Sequence, residues 1–400
     1  MPGGVSGSSP DGPVDPLVDP VAAFGLTAAQ AEYAAWVRSV AAGLAGIEPV
    51  HGAVNRSLVQ ALGRTGLLRG LFGGAPGEPP RDAAAMQLCL LREMLATTNT
   101  EAETALALQG LGAYPILQSG NDVTRDRWIS GVASGDIVPA FALSEPDAGS
   151  DAGALALEAR PDGDDWTLHG TKTWISNAPD ADVYSVFART TASTGARGVS
   201  AFAVAGDAPG LTGERLEMLA PHALGTLHFD GVRVSTDDLL GEVDRGFGVA
   251  MRTLDLFRPS VGAFAVGMGQ AALVASLAWA RQRELFGAKL IDLQATQHTL
   301  AEMATRIEAG RLLVRRAAAA YDAGAPARQV TTTAAQAKLY ATETAQWVVD
   351  QAVQLHGARG LQRGHLLERL YREVRAPRIY EGASEVQRTI IARGLMEGLE

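Results

Sequence analysis

A single cysteine among 400 residues, Cys89, excludes an intrachain disulfide and a thiolate metal cage. It lies in the apolar run 86–91 and reads as a buried core residue. Histidine is nearly as scarce. The residues at 51, 169, 222, 228, 298, 356 and 365 show no H-x-x-x-H spacing, so no metal centre is expected. Basic side chains number 34 against 44 acidic ones, and the net charge of −10 excludes a general attraction for nucleic acid or anionic lipid. There is no G-x-S-x-G elbow to suggest a serine hydrolase, and no internal repeat. The first residues lack the basic start and apolar core of a signal peptide. Residues 1–21, rich in Pro, Gly, Ser and Asp, read as a disordered leader. A reducing, cytoplasmic location is the expectation.

What is present is a large apolar fraction, 47%, in a chain long enough for two or three structural units. Residues 22–138 are helical in pattern. Thr27 stands as an N-cap before 28–44, residues 57–71 carry helical spacing, and a Gly/Pro break at 73–81 precedes a helix over 82–95. Between 139 and 241 the period changes to two. Leu155, Leu157 and Ala159 alternate, Asp162-Gly163 and Asp230-Gly231 supply turns, and 183–188 and 199–204 are rich in β-formers. From 242 to 400 helices return, with Leu300, Met303, Ile307 and Val314 on one face and Glu302–Arg306 on the wet side. Gly357 stops the helix over 331–356. The order implies an α+β chain of three units. Residues 261–280 are apolar enough to span a bilayer, but Gln270 and many small residues point to a helix buried in a bundle, so no membrane association is expected.

Gly267-Met-Gly269-Gln-Ala-Ala272 matches a dinucleotide-binding pattern, yet no parallel strand ending in an acid follows, so close helix packing explains it better. Three other segments are more informative. F-A-L-S-E-P-D-A-G-S-D at 141–151 offers small residues and hydroxyls that let backbone N–H groups approach a polar ring or phosphate. W-I-S at 174–176 offers an aromatic and a hydroxyl for a heterocycle. R-I-Y-E-G-A-S-E-V-Q at 378–387 sets Glu381 between an aromatic and a glycine, where desolvation makes a carboxylate a stronger base. Taken singly, each also fits an ordinary turn, strand or loop.

Together, with R-E-L-F-G at 283–287 and Q-L-H-G-A-R-G at 354–360, they resemble the acyl-CoA dehydrogenase family in order and separation. The resemblance extends from about residue 22 to I-A-R-G-L at 391–395. It implies an N-terminal helical domain (22–138), a middle antiparallel β-barrel-like domain (139–241) and a C-terminal four-helix bundle (242–400). It also implies FAD and desaturation of an acyl thioester carried on CoA or an acyl carrier protein. By resemblance, Phe141, Leu143 and Ser144 cradle the flavin ring, and Trp174, Ile175 and Ser176 lie against it. Arg283, Phe286 and Gln294 would hold the pyrophosphate and adenosine across a subunit interface. Gln354, Leu355, Gly357 and Ala358 would come from the neighbouring subunit, and Ala383, Ser384 and Glu385 would meet the adenosine end. Ser150, Asp255, Phe257, Arg258, Tyr380 and Gly382 are the implied substrate contacts, and Glu381 the catalytic base. A homodimer or homotetramer, with an electron-transfer flavoprotein as acceptor, completes the expectation.

Some relatives place the base on the helix containing Phe257, which cannot accept a proton, so Glu381 is left without a competitor. Phe257 is expected to fill part of the acyl pocket and favour short or branched chains. Two positions depart from the family pattern, Ala383 for Thr and Ala358 for Gly. The resemblance also admits same-fold flavin oxidases or monooxygenases and nucleic-acid-associated flavoproteins. The former include enzymes with an aspartate where Glu381 stands, and the latter carry a basic C-terminal region not found here.

Overall fold

Thr27 opens the first helix with a capping box: its hydroxyl accepts the Gln30 N–H at 3.2 Å, and the Gln30 side chain accepts the Thr27 N–H at 3.0 Å. The computed structural model describes residues 25–44, 46–48, 50–73, 78–193 and 195–396, so the leader expected at 1–21 lies outside the described residues. The N-terminal helices are α1 (Ala28–Ala42), α2 (Arg56–Arg64), α3 (Ala85–Thr98), α4 (Thr100–Ser119) and α5 (Asp122–Ser134). The helical run expected over 57–71 breaks after Arg64. Gly66 takes φ +81°, a 3-10 turn covers Leu68–Leu71, and a hairpin of β1 (Phe72–Gly73) and β2 (Arg81–Asp82) follows.

The middle of the chain forms one seven-stranded sheet: β3 (Pro139–Ala142), β4 (Glu158–Asp162), β5 (Asp165–Ser176), β6 (Val183–Arg189), β7 (Val199–Ala205), β8 (Leu211–Arg215) and β9 (Leu224–Val234). The neighbour order is β3-β6-β4-β5-β9-β8, with β7 also on β6. The sheet is not wholly antiparallel as expected, because β3 joins β6 in parallel from Pro139↔Val183 to Ala142↔Val186. A parallel pair needs a long crossover, and the β4–β5 hairpin supplies it. Residues 155–157 do not extend β4 as their alternation suggests. The Ala156 and Leu157 N–H groups donate instead to the Glu145 carboxylate, at 2.6 and 2.9 Å.

The chain then becomes helical: α6 (Gly246–Gln282), the hairpin β10 (Glu284–Leu285) and β11 (Ala288–Lys289), α7 (Gln294–Asp322), α8 (Ala327–His356), α9 (Leu366–Glu373) and α10 (Ser384–Met396). Helix α6 is long and apolar enough to cross a membrane, but 72% of its most apolar stretch is buried within the protein, against α3, α7 and α8. Its glycines set those contacts. A Cβ on Gly267 would lie 2.5 Å from the Glu93 carbonyl oxygen, and one on Gly269 would lie 3.3 Å from Ile307. The G-x-G-x-x-A segment therefore serves helix packing. On α7, Leu300, Met303, Ile307 and Val314 are buried as patterned, and Glu302 accepts from Arg306 at 2.6 Å.

Gly267→Val is expected to push α6 from α3 and destabilise the protein by about 1–3 kcal/mol. Valine's slight helix-forming advantage over glycine, a few tenths of a kcal/mol, does not offset this. Chemical denaturation against wild type measures it, and an unchanged midpoint would refute the close-packing role.

Candidate active site

Strand β5 reaches the site through an irregularity. Lys172 pairs with Leu227 and Ile175 with Gly225, so Thr173 and Trp174 together face one residue of β9. At this bulge Trp174 takes φ +60°, and Asn177, just past the strand, takes φ +66°. The effect is to aim Trp174 outward with 55% of its surface exposed, between the buried Thr173 and Ile175. An indole face presented on a rigid strand suits a flat aromatic ligand.

Beneath it lies a buried ion pair. The Lys172 ammonium, fully buried, donates to the Glu145 carboxylate at 2.7 Å and to the Leu143 carbonyl at 2.9 Å. Burial pulls the lysine down to about 8, against the pull of Glu145. Because Glu145 also accepts the two N–H groups after the turn, this pair ties residues 143–157 to β5. The Thr173 N–H to Ser144 carbonyl bond, 3.0 Å, adds a second tie. Leu143, Ser144, Trp174, Ile175 and Ser176 are thus brought together. Phe141 packs on Phe187 with ring centres 4.9 Å apart, and Ser150 lies exposed on the same loop.

Glu381 stands on the turn between α9 and α10, with φ +50°, followed by Gly382 at +91°. Its Oε2 is buried and has no hydrogen-bond partner. Burial raises the carboxyl above its ordinary range, opposed by Arg92, Lys338 and Arg258. The turn is fastened from beneath. Arg258 and Gln387 donate to the Glu381 carbonyl at 3.3 and 3.2 Å, while Lys338 and Gln387 donate to the Gly382 carbonyl at 2.7 and 2.8 Å. Arg258 is in turn held by Asp255 at 3.0 Å, and Asp255 by Thr331 at 2.7 Å. Arg92, buried, pairs with Glu103 and donates to Ser260 at 2.8 Å. Phe257 is buried, edge-on to Tyr114 at 5.1 Å and against the backbone of Gly110.

The strand and this turn are connected by residues without a motif. The Asn177 N–H donates to the Ala223 carbonyl at 2.9 Å, and the adjacent His222 bonds Glu373 at the end of α9, eight residues before Glu381. Burial acts to drain the His222 proton, but Glu373 and Glu103 hold its imidazole above the usual value. His222, Glu373, Arg92, Glu103, Lys338 and Lys172 were not singled out by sequence. Their types are common, and only the fold joins them.

The remaining predicted residues fall elsewhere. Arg283 and Arg359 lie over the Trp279 ring, at 6.0 and 4.9 Å, the Trp279 N–H donates to the Leu355 carbonyl, and His356 stacks on the same indole. Phe286 projects from the β10–β11 turn, 93% exposed, with Gln294 exposed nearby at the start of α7. Gln354, Gly357 and Ala358 are exposed around this group. Gln354 lies 16 residues from Lys338 along α8, about 24 Å at 1.5 Å per residue, so one chain does not bring this cluster to Glu381. Ala383 and Ser384 do adjoin Glu381; Ser384 bonds Glu343, which Arg378 also holds at 2.8 Å, and Glu385 is exposed. A cleft of about 740 Å³, lined by Arg81, Asp82, Arg125, Arg252, Asp255 and Tyr321 among others, opens toward the Asp255–Arg258 pair.

Residues 140–232 match the acyl-CoA dehydrogenase middle domain and 244–396 the acyl-CoA dehydrogenase C-terminal domain. The short-chain specific acyl-CoA dehydrogenase of Bos taurus mitochondria is 45% identical over 71% of this chain and 69% of its own. Cyclohexane-1-carbonyl-CoA dehydrogenase of Geobacter metallireducens is 36% identical over 82% of this chain and 84% of its own. The structure of butyryl-CoA dehydrogenase from Megasphaera elsdenii superposes with a TM-score of 0.86 at 31% identity, covering 93% of this chain and 99% of that one.

Lys172→Met, which strands the buried Glu145, is expected to cost about 3–5 kcal/mol, and the double change Lys172→Met/Glu145→Leu to recover only part of that, because the Ala156 and Leu157 N–H groups lose their acceptor. A thermal double-mutant cycle reads both. Simple additivity would show that the two residues act independently.

Proposed function

The chain belongs to the acyl-CoA dehydrogenase family, and from that premise we propose that it desaturates short acyl-CoA thioesters, with Glu381 as the base. The observation that carries this reading is the Glu381 carboxylate oxygen, buried and unpartnered on a left-handed turn. An acid so placed has exchanged water for a waiting ligand, and a raised pKa makes it a stronger proton acceptor once ionised. The Glu381 N–H has no acceptor among the described residues, which suits it to polarise a thioester carbonyl and so acidify the α-carbon. The proton moves from that carbon to the Glu381 carboxylate. Arg258, Gln387 and Lys338 keep the turn in place while it does so, and fixed alignment of base and substrate supplies part of the rate.

FAD, when bound, supplies the hydride acceptor for the β-carbon. The residues present fit it: the exposed Trp174 face and the loop of Leu143 and Ser144 would meet the ring, and Ser176 lies two residues further along the same strand. The distant group of Arg283, Phe286, Gln294 and Gln354–Ala358 would hold the adenosine part in a homodimer, each site using both copies. Ala383 in place of the family hydroxyl removes one polar contact there. CoA rather than a carrier protein is favoured by Arg81, Arg125 and Arg252 around the cleft, which can meet phosphates. Phe257, filling space against Gly110 and Tyr114, supports a short acyl chain, in keeping with relatives named for short-chain and butyryl substrates. An electron-transfer flavoprotein as acceptor is proposed by resemblance.

Anaerobic titration of the yellow protein with butyryl-CoA should bleach the flavin, and palmitoyl-CoA should do so poorly. Glu381→Gln should retain the flavin yet lose roughly 10²–10⁴-fold in turnover. Full activity in that variant would remove the proposal's foundation.

A further inference from the structure

Three buried cations act on the Glu381 carboxylate without forming an ion pair with it, Arg92 from α3, Arg258 from α6 and Lys338 from α8, and the last two donate to the carbonyls of its turn. Two of them already have carboxylate partners, Arg92 in Glu103 and Arg258 in Asp255. Lys338 forms no ion pair among the described residues, and its side chain is completely buried. We propose that Lys338 is a positioning residue for the base: its ammonium is the counter-charge that keeps Glu381 ionised and a hook that fixes the turn beneath it. The inference rests on the function proposed above and deepens it.

A purely structural role for Lys338 does not account for the geometry. Its Nζ donates to the Gly382 carbonyl at 2.7 Å, but Gln387 already donates to the same oxygen at 2.8 Å. The carbonyl oxygen can accept from both, and the bond hooks the turn, but a neutral oxygen does not answer the charge of an ammonium taken out of water, which is costly unless a negative charge does. The balance is informative. Arg92, Arg258 and Lys338 against Glu103, Asp255 and Glu381 cancel only when Glu381 is ionised. The other charged groups that act on Lys338 are Arg258 on α6, which opposes its charge, and Glu343 on its own helix and Glu385 at the start of α10, which favour it; Arg258 is paired with Asp255, and the two acids are bonded to Ser384 and Arg378, and to Arg388. Burial pulls the ammonium down to about 8, opposed first by Glu381. An ionised base needs a proton-free carboxylate. Removing a nearby positive charge raises the pH at which that form appears, and the rising limb of the pH–rate profile moves with it.

The experiment titrates the protonated-carboxyl infrared band that disappears in Glu381→Gln, using the purified protein without substrate. Wild type is compared with Lys338→Met, Lys338→Gln and Lys338→Arg. The midpoint is expected to rise by roughly 1 unit or more in the Met and Gln variants and to stay near wild type in the Arg variant. The rising limb of kcat should follow the same order. Equal midpoints in wild type, Met and Gln would overturn the proposal, as would an Arg variant that moves with them. If the Met variant fails to fold, the Gln variant, which keeps a donor for Gly382, decides alone. Because the infrared titration needs no turnover, a wild type inactive on every acyl-CoA would defeat the dehydrogenation reading while Lys338 was still judged.

Discussion

A carboxylate removed from water must be answered by positive charge, and around Glu381 that answer is assembled from three helices. Arg92, Arg258 and Lys338 are far apart in sequence and meet only after α3, α6 and α8 have packed. The proposed base therefore takes its electrostatic setting from the packed helices and not from its own short run. That setting belongs to the bundle, and the glycine that lets α6 approach α3 helps to form it.

Sequence pointed to the candidate site where its residues form local runs. Phe141 to Asp151, Trp174 to Ser176 and Arg378 to Gln387 are short runs that are ordinary singly and informative in their order and separation. It was silent where chemistry is built from distant, common residues. Arg92 reaches Ser260 across 168 positions, and His222 reaches Glu373 across 151. Nothing in a helical spacing pattern marks one arginine among many as buried. The parallel β3–β6 pair escaped for a related reason, since period-two alternation does not record strand direction. The early start expected for β4 failed because a side chain, Glu145, competed for backbone N–H groups that a ladder would have used.

The two halves of the implied cofactor site also differ in kind. The strand side is rigid, tied by Lys172, Glu145 and Thr173 to a continuous sheet. The far side consists of an exposed hairpin and the end of a helix, held by Trp279 and its flanking arginines. A ring that must sit within reach of a reacting carbon needs the first; a nucleotide tail can be met by the second.

The extra residue in β5 has a consequence for how this stretch can vary. Losing one residue at Thr173 would restore the regular ladder with Ile175 still opposite Gly225, but it would bring Trp174 opposite Thr226 and remove the positive-φ step that turns the indole outward. The segment can accept changes of identity at several positions, but not a change of length by one, and in any lineage of this protein single-residue insertions and deletions here should be purged sooner than substitutions.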